Sequence, residues 1–144
     1  MQSLSIIIPV YNEEKTLLNV LNKVKKLDTI CELEIIVVND GSSDKSKEII
    51  DNNKNLFSKA IHLKKNSGKG KAVIEGIKNC NLDYILIQDA DLEYDPDDIK
   101  VFLEENKKFN YDLIMGSRFI GTRRSVLHFW HMLGNKFITI IFNL

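Results

Sequence analysis

The chain has 144 residues, of which 44% are hydrophobic and 28% are charged, proportions typical of a folded domain and not of a disordered tail. Twenty basic and twenty acidic residues give a formal net charge of zero, so no overall field would attract the protein to nucleic acid or to anionic lipid. Any anionic ligand must therefore be bound by local groups, and we expect no nucleic-acid partner.

The cysteines and the N-terminus both favour a cytoplasmic protein. Cys31 and Cys80 fit no CxxC or zinc-binding spacing, which indicates two reduced thiols. Residues 1–4 lack the basic start and the long apolar core of a secretion signal. We therefore predict a cytoplasmic location.

Strands and helices are predicted to alternate along the chain. Apolar runs predict strands at residues 4–10, 33–38, 60–63, 84–87 and 111–115. Helical spacing of apolar residues predicts a helix after each of the first four strands, the first capped by Asn12 and the third with Val73, Ile77 and Cys80 on its inner face. The alternation predicts an α/β fold, a mostly parallel sheet with helices on both faces.

Pro9 is expected at the end of the first strand, because a proline cannot donate to a central ladder. Polar residues also follow the predicted strands where each one ends. They are Tyr11, Asp40–Gly41, Asp89–Asp91 and Ser117–Arg118. Since the carboxyl ends of parallel strands meet at one edge, these residues should share the rim at which open α/β sheets bind nucleotides.

The stretch 88–93 ends a predicted strand in an Asp-x-Asp pattern. If it is extended, Asp89, Asp91 and Glu93 point to the same side and hold one cation. Mg2+ or Mn2+ suits such carboxylate oxygens, completed by substrate phosphates. A solvated loop is the simpler interpretation, and we accept it for the acids between residues 95 and 98, which would open the next helix. For Asp89 and Asp91 we favour a functional site.

A glycine- and lysine-rich loop, Ser-Gly-Lys-Gly-Lys at residues 67–71, precedes the third helix. It does not match the Walker A pattern, and no GxGxxG follows the first strand, which disfavours a P-loop and a dinucleotide-binding domain. Two interpretations stay open. The loop is either a flexible turn, or a site where backbone N–H groups and Lys69 bind a diphosphate.

Arg118, Arg123 and Arg124 form a local basic cluster whose forked donors suit phosphate oxygens. We favour a functional role for Arg118, because it follows a strand at the predicted rim. His128 and His131 are three residues apart, but no third ligand is nearby, so packing is favoured over metal binding.

Two regions are predicted: an α/β domain at 1–125 and an apolar, aromatic segment at 126–144. The His, Asn and Lys residues of the segment argue against a bilayer span. The segment would either pack against the domain or lie at a membrane surface as an amphipathic helix. Because its apolar pattern continues to Leu144 without a helix-ending residue, we expect a longer protein, cut short here at its acceptor side.

Five motifs occur in order along nearly the whole chain. They are SIIIPVYNEE at 5–14, VNDGSSD at 38–44, NSGKGKA at 66–72, QDADLEYDP at 88–96 and GSRF at 116–119. Together they resemble a family 2 glycosyltransferase, of the branch similar to dolichyl-phosphate mannose synthase.

The resemblance implies a GT-A fold and a metal-dependent, inverting transfer of a sugar from a GDP- or UDP-sugar to an acceptor, a polyprenyl phosphate. By position, Pro9, Tyr11 and Glu13 would line the nucleoside pocket and Asp40 would hydrogen-bond the base. The remaining positions would serve the diphosphate and the metal: Asp89 beside the ribose and diphosphate, Asp91 with Glu93 on Mg2+ or Mn2+, and Lys69, Arg118 and Arg124 on phosphates. Of these, Asp89, Asp91 and Arg118 would be catalytic.

Alternatives remain open. Residues 128–135 differ from dolichyl-phosphate mannose synthases, which carry further arginine and serine there, so the acceptor and the sugar are undetermined. A lipid phosphate is already anionic, whereas a sugar hydroxyl needs a carboxylate base, and the sequence identifies none. The main alternative is a non-catalytic nucleotide-binding or interaction module. A nucleotidyltransferase is disfavoured, because residues 9–14 are not a Gly- and Arg/Lys-rich loop.

Overall fold

The computed structural model describes residues 2–115. The strands are β1 (Ser3–Val10), β2 (Glu32–Asn39), β3 (Lys59–His62) and β4 (Tyr84–Ile87). The helices are α1 (Leu17–Lys25), α2 (Ser46–Asn52), α3 (Lys69–Ile77) and α4 (Ile99–Phe109). Short 3-10 turns span Lys26–Thr29, Lys54–Leu56 and Pro96–Asp98. The first four predicted strands and the alternation of strands with helices are therefore confirmed.

The four strands form one parallel sheet in the order β3-β2-β1-β4. Ile7 pairs with Ile36 on one side and with Ile87 on the other, so β1 lies between β2 and β4. The chain moves from β1 through β2 to β3 in one direction and then returns to place β4 on the opposite side. The order thus reverses beside β1, which is the position of the ligand crevice in open α/β sheets.

Helices cover both faces of the sheet. On one face, Leu17, Val20, Leu21 and Val24 of α1 are fully buried in the larger core, which also contains Ile6 and Ile8. On the other face, Ala72 of α3 packs in a smaller core with Ile7, Ile36 and Val38. The alternate residues of β1 thus enter opposite cores, which is why its apolar run is unbroken.

Pro9 is the penultimate residue of β1, as predicted. Ile7 O accepts a hydrogen bond from Gln88 N, so the odd-numbered residues of β1 direct their backbone polar groups towards β4. The β1–β4 ladder ends at the pair Ile7–Ile87. The missing N–H of Pro9 therefore faces a position beyond the ladder and leaves no strand bond unmade.

Two predicted helix details are wrong. Asn12 does not cap α1, which begins only at Leu17; Asn12 has a φ of +57°, and its side-chain oxygen accepts instead from Ser43 N. On α3 the residues buried against the sheet are Ala72 and Gly76, whereas Ile77 is 45% exposed. Cys80, which follows α3, packs against the smaller core as predicted. At Gly76 the helix lies so close to β1 that an added Cβ would overlap Ile7 Cγ2. The face of α3 against the sheet therefore has small residues, and larger side chains lie on its other faces.

One strand prediction is wrong, and β4 is less buried than the central strands. β4 is half buried: Tyr84 and Leu86 pack against the larger core, whereas Ile85 and Ile87 on its other face are 47% and 49% exposed. Residues 111–115 form no strand. Asn110 ends α4 in a left-handed conformation with a φ of +51°, and the Tyr111 ring packs at 5.4 Å from the Phe109 ring.

No helix within residues 2–115 has the length and apolar character needed to cross a bilayer. The predicted boundary at residue 125 and the apolar segment 126–144 lie outside the described residues.

Candidate functional site

The residues that follow all four strands lie at one edge of the sheet, as the sequence predicts, because the strands are parallel. Tyr11 follows β1, Asp40 follows β2 and Asp89 follows β4 soon after Ile87. Neighbouring strands are about 4.8 Å apart, so Asp40 and Asp89, separated by β1, leave the sheet about 10 Å from each other.

Asp40 is only 3% exposed, and its carboxylate binds the loop that precedes α3. Oδ1 accepts from Ser67 N and Oδ2 accepts from Gly68 N, each at 2.8 Å. Hydrogen bonds to a charged acceptor are the strong ones, so this carboxylate fixes the loop backbone. The role in base recognition that the resemblance implies for Asp40 stays a prediction, whereas loop anchoring is a role that the sequence did not disclose.

Gly41 lets the same loop approach closely. A Cβ built at this position would lie 2.5 Å from the Lys65 carbonyl carbon and 2.6 Å from Asn66 N. Its φ of +67° is also a conformation that favours glycine. Asp40 and Gly41 therefore dock one loop onto the next through a carboxylate and through the absence of a side chain.

Lys69 and Asp89 form an ion pair between the start of α3 and the end of β4. The ammonium nitrogen lies 2.6 Å from Oδ1 and 2.8 Å from Oδ2 of the carboxylate. The lysine side chain is 61% exposed and the aspartate side chain 19% exposed, so a ligand can reach the pair. Two residues that the sequence associates with a diphosphate are thus brought together.

The acids after β4 do not converge as predicted. The chain leaves the extended conformation at a turn beginning at Ala90, and Leu92 has a φ of +64°, so the alternation of a strand does not continue. Asp91 Oδ1 accepts from Glu93 N at 2.9 Å within this turn. Among residues 2–115 no group of three His, Cys, Asp or Glu side chains is arranged to hold a metal ion.

Gln88 organises this turn and was not singled out from the sequence. It is 4% exposed, and its Nε2 donates to Asp89 O and to Tyr94 O, each at 3.1 Å. A polar residue directly after an apolar strand was the feature that could have identified it. The turn ends where Asp95 Oδ1 accepts from Asp97 N and caps the following helical turn, as predicted.

Tyr11 and Glu13 lie on a loop that is fastened to the loop after β2. The contacts are reciprocal: Asn12 N donates to Ser42 Oγ, Ser43 N to Asn12 Oδ1, Glu13 N to Ser46 Oγ, Glu14 N to Asp44 Oδ2 and Lys45 N to Glu14 Oε2. Tyr11 is 46% exposed. Its ring is therefore available on a loop whose backbone is fixed.

The hydrogen bonds between the two loops lower the pKa of Asp44. Burial alone would raise the pKa of its carboxyl, but hydrogen bonds from the Ser46 side chain and from the N–H groups of Ser46 and Glu14 lower the pKa below its ordinary value. The carboxylate is therefore the form that joins the two loops.

Four residues considered in the sequence analysis lie outside the described residues: Arg118, Arg124, His128 and His131.

Comparison with known proteins assigns this arrangement to a family. Residues 5–143 match the model of glycosyl transferase family 2. The chain belongs to this family. The match covers all five sequence motifs on which the resemblance rests, and the predicted membership is confirmed.

The similar family 2 glycosyltransferases include enzymes named for different acceptors. A poly-beta-1,6-N-acetyl-D-glucosamine synthase of Staphylococcus epidermidis is 38% identical over 88% of this chain and 31% of its own length. A dolichyl-phosphate beta-glucosyltransferase of Trichomonas vaginalis is 35% identical over 80% of this chain and 40% of its own length. An undecaprenyl-phosphate 4-deoxy-4-formamido-L-arabinose transferase of Photorhabdus laumondii is 36% identical over 86% and 38%. The last two confirm the resemblance to the polyprenyl-phosphate branch.

Solved structures of similar chains confirm the GT-A fold. S. aureus TarS 1–349 in complex with UDP-GlcNAc is 28% identical, with a TM-score of 0.66 over 86% of this chain and 38% of that one. The mannosyltransferase PcManGT from Pyrobaculum calidifontis, solved with GDP-Man and Mn2+, is 22% identical, with a TM-score of 0.55 over 61% and 27%. The chain spans between about a third and two fifths of the length of the curated relatives named above.

Proposed function

We propose that the chain is the donor-binding part of an inverting glycosyltransferase that takes a sugar from a UDP- or GDP-sugar. The observation that carries this proposal is the Lys69–Asp89 pair at the sheet edge, beside the reversal of strand order and accessible to solvent. Family membership supplies the reaction class, and TarS, 28% identical, has been solved with UDP-GlcNAc.

The chain's own residues would divide the donor between them. Lys69 would exchange its contact with Asp89 for a contact with the diphosphate, which leaves Asp89 beside the ribose and diphosphate. Pro9, Tyr11 and Glu13 would line the nucleoside. Arg118 and Arg124 keep their proposed roles on phosphate oxygens.

The residues after β4 fit a divalent cation that arrives with its nucleotide. Mg2+ and Mn2+ sites in such enzymes usually take one or two carboxylates and complete their shell with substrate phosphates and water, so a preformed cluster of three acids is not required. Asp91 is exposed and is placed by the Gln88 turn, and it would hold the ion together with Glu93. When bound, the cation would stabilise the negative charge that develops on the departing diphosphate.

For the acceptor we propose a polyprenyl phosphate. Two relatives at 35% and 36% identity are named for lipid phosphate acceptors. A phosphate oxygen is already anionic and attacks the anomeric carbon without a general base, which suits a site where we identify none. Peripheral membrane contact through residues 126–144, on the cytoplasmic side, is part of this proposal.

A growing polysaccharide is the second candidate acceptor, because the relative at 38% identity is a poly-N-acetylglucosamine synthase. The acceptor would then be a hydroxyl, which requires a carboxylate base. A non-catalytic nucleotide-binding module is the third possibility.

Calorimetry on the 144-residue chain tests donor binding. UDP, GDP, UDP-GlcNAc and GDP-mannose are titrated with Mn2+ and again after excess EDTA. We expect one nucleotide to bind in a cation-dependent manner, and no binding by a folded sample would contradict the proposal. Incubation of the preferred donor with undecaprenyl phosphate or with an N-acetylglucosamine oligosaccharide then separates the two acceptors. Binding without transfer to either favours the binding module.

A further inference from the structure

We propose that Asn39 and His62 are positioning residues. The His62 ring, unprotonated at Nδ1, orients the Asn39 carboxamide, and the carboxamide oxygen holds the Ser42 amide and with it the loop that carries Tyr11. The consequence for ligand affinity rests on the donor-binding function proposed above, whereas the orientation itself can be tested without any ligand.

The first step is the direction of the hydrogen bonds at Asn39, which ends β2 and is 2% exposed. Its Oδ1 accepts from Ser42 N at 3.0 Å. A backbone N–H can only donate, so this contact identifies the carboxamide oxygen and places the NH2 group on the other side. There the Asn39 nitrogen lies 3.2 Å from Nδ1 of His62, its cross-strand partner on β3. Nδ1 is therefore the acceptor and carries no hydrogen.

The second step is the other ring nitrogen of His62. In a neutral imidazole one nitrogen carries the hydrogen, so an unprotonated Nδ1 leaves it on Nε2. Asp51 Oδ1 on α2 lies 3.4 Å from Nε2, which favours a hydrogen at this position. The acid on one side of the ring and the carboxamide on the other thus favour the same tautomer.

A second proton on His62 would break this arrangement. A hydrogen on Nδ1 would face the NH2 group of Asn39, donor against donor. Rotation of the carboxamide would relieve that contact, but it would turn the same NH2 group towards the Ser42 N–H. In either case one of the two hydrogen bonds is lost, and a buried carboxamide without its partner is unfavourable.

The third step connects Ser42 to the loop after β1. Ser42 Oγ accepts from Asn12 N at 3.1 Å. Tyr11, which we place at the nucleoside, directly precedes Asn12. The orientation of the Asn39 carboxamide is thus passed to the proposed nucleoside pocket through two loops. Because other hydrogen bonds also join these loops, we expect a moderate and not a complete loss of affinity when this contact is lost.

Nitrogen NMR of the histidine rings in the 144-residue chain tests the tautomer. The chain has three histidines, and the ring signals that disappear in His62→Asn belong to His62. With this ring neutral, we expect Nδ1 to resonate as an unprotonated nitrogen and Nε2 as a protonated one. A hydrogen on Nδ1 would overturn the proposal.

His62→Leu and His62→Asn separate positioning from packing. Leucine removes the acceptor, whereas Oδ1 of an asparagine can replace Nδ1. For His62→Leu we expect the protection of the Ser42 amide, its exchange relative to an unstructured peptide at the same pH, to fall about tenfold. The Kd for UDP with Mn2+, or for GDP with Mn2+ if the wild type prefers guanine, should rise about threefold to tenfold.

His62→Asn should stay close to wild type in both measurements. A purely structural role of the ring predicts the opposite order of the two variants, because asparagine is disfavoured in strands. Full protection of Ser42 in His62→Leu, or its loss in His62→Asn as well, would therefore contradict the proposal.

The protonation state of His62 provides a second readout. The charged residues of α2 and of the stretches around Asn39 and His62 are Asp40, Lys47, Glu48, Asp51, Lys59, Lys64 and Lys65. Of these, Asp51 lies at ion-pair distance from the ring. As acid protonates the wild-type ring, which its own NMR signals report, protection of Ser42 should fall in step. In His62→Asn this fall should be absent, and its presence there would assign the effect to another group.

Lys59→Leu is the matched control. It also places a leucine on β3, but at the opposite end of the strand, where Lys59 Nζ donates to Asn79 Oδ1 at 2.5 Å. This variant should keep both the protection of Ser42 and the nucleotide affinity. Loss of either would show that His62→Leu acts through the strand and not through the Asn39 contact.

A double-mutant cycle tests whether His62 acts through Asn39. Asn39→Ala removes the carboxamide and should reproduce the effects of His62→Leu. The two substitutions combined should bind the nucleotide no more weakly than Asn39→Ala alone. Losses of affinity that multiply would show that the two residues act independently and would overturn the proposal.

The outcomes separate the two proposals. If wild type binds no nucleotide, the proposed function fails, while the ring nitrogens and the Ser42 amide still test the orientation. If His62→Leu loses the protection of Ser42 without loss of affinity in a protein that binds nucleotide, positioning is wrong. Should Asn39→Ala fail to fold, the His62 variants decide, because the His62 side chain is 29% exposed at the end of β3 and tolerates replacement.

Discussion

The Lys69 ammonium lies 2.6 Å from one carboxylate oxygen of Asp89 and 2.8 Å from the other, across 20 positions of sequence. The two residues come from the first turn of α3 and from the end of β4, so the pair spans the edge of the sheet beside β1. An exposed pair of this kind contributes little to folding, so its position at the edge where open α/β sheets bind ligands is the more informative property.

Lys69→Gln should weaken nucleotide binding and leave the fold intact. Loss of the Lys69 positive charge beside the diphosphate is expected to raise the Kd for UDP or GDP with Mn2+ about tenfold. The free energy of unfolding should change by less than about 1 kcal/mol, because the lysine side chain is 61% exposed. Calorimetry and urea denaturation measure the two quantities.

Lys71→Gln is the control for this substitution, since Lys71 lies two residues further along α3 and pairs with Glu75 at 3.5 Å. It should bind the nucleotide as wild type does. Equal affinity of wild type and Lys69→Gln would remove Lys69 from the site.

Asp91→Asn should raise the Mn2+ concentration needed for nucleotide binding. Replacing a carboxylate by an amide removes a charge that a hard divalent cation prefers, so we expect about a tenfold shift in the Mn2+ dependence. Asp97→Asn removes another exposed acid, whose partner is Lys100, and it should have no such effect. Titrations at fixed nucleotide give both curves, and coincident curves for Asp91→Asn and wild type would exclude Asp91 as a ligand.

Gly76→Ala should destabilise the protein although alanine favours helices. The added Cβ would overlap Ile7 Cγ2 and lie 3.1 and 3.2 Å from two further atoms of this fully buried side chain. Overpacking of this kind costs about 1–3 kcal/mol. Gly70→Ala on the same helix meets nothing within 4 Å and should stabilise by up to about 1 kcal/mol. Urea denaturation of the two variants should therefore give shifts of opposite sign.

Glu34 should make stability depend on pH on the acid side. Burial by itself raises the pKa of this carboxyl, but hydrogen bonds from Ser5 and Asn81 outweigh it and hold the pKa below its ordinary value of 4.5. The contribution of the carboxylate is therefore complete above pH 4.5 and is lost as the pH falls through the lower pKa of the folded state. Glu34→Gln should be less stable than wild type near neutral pH, with a difference that shrinks in acid. A difference that is constant with pH would contradict this.

The sheet could be predicted from the sequence because its strands are specified locally. Residues 4–10 and 33–38 are nearly unbroken apolar runs, and burial on both faces of a parallel sheet is the environment that such runs require. The edge at which Asp40 and Asp89 leave the sheet followed from the same parallel topology.

What the sequence did not disclose depends on contacts between distant segments. Helical spacing cannot show that Ile7 lies too close to α3 for a side chain at position 76, so Val73 and Ile77 were placed inward instead. Asn12 has the chemistry of a helix cap, but its oxygen is taken by Ser43, 31 positions away. The anchoring role of Asp40 was hidden for the same reason, since its partners lie 27 and 28 positions further along the chain.

Pro9 lies close to the point at which the pairing of β1 with β4 ends. Pro9 has no N–H to donate on the side of β4, so one ladder hydrogen bond is missing just beyond the Ile7–Ile87 pair at which the pairing stops. A residue with a backbone N–H at position 9 would permit further pairing, and residues 89–91 would then continue β4 alongside β1. The proline thereby favours a turn, and not a longer strand, at the carboxylates of residues 89–91.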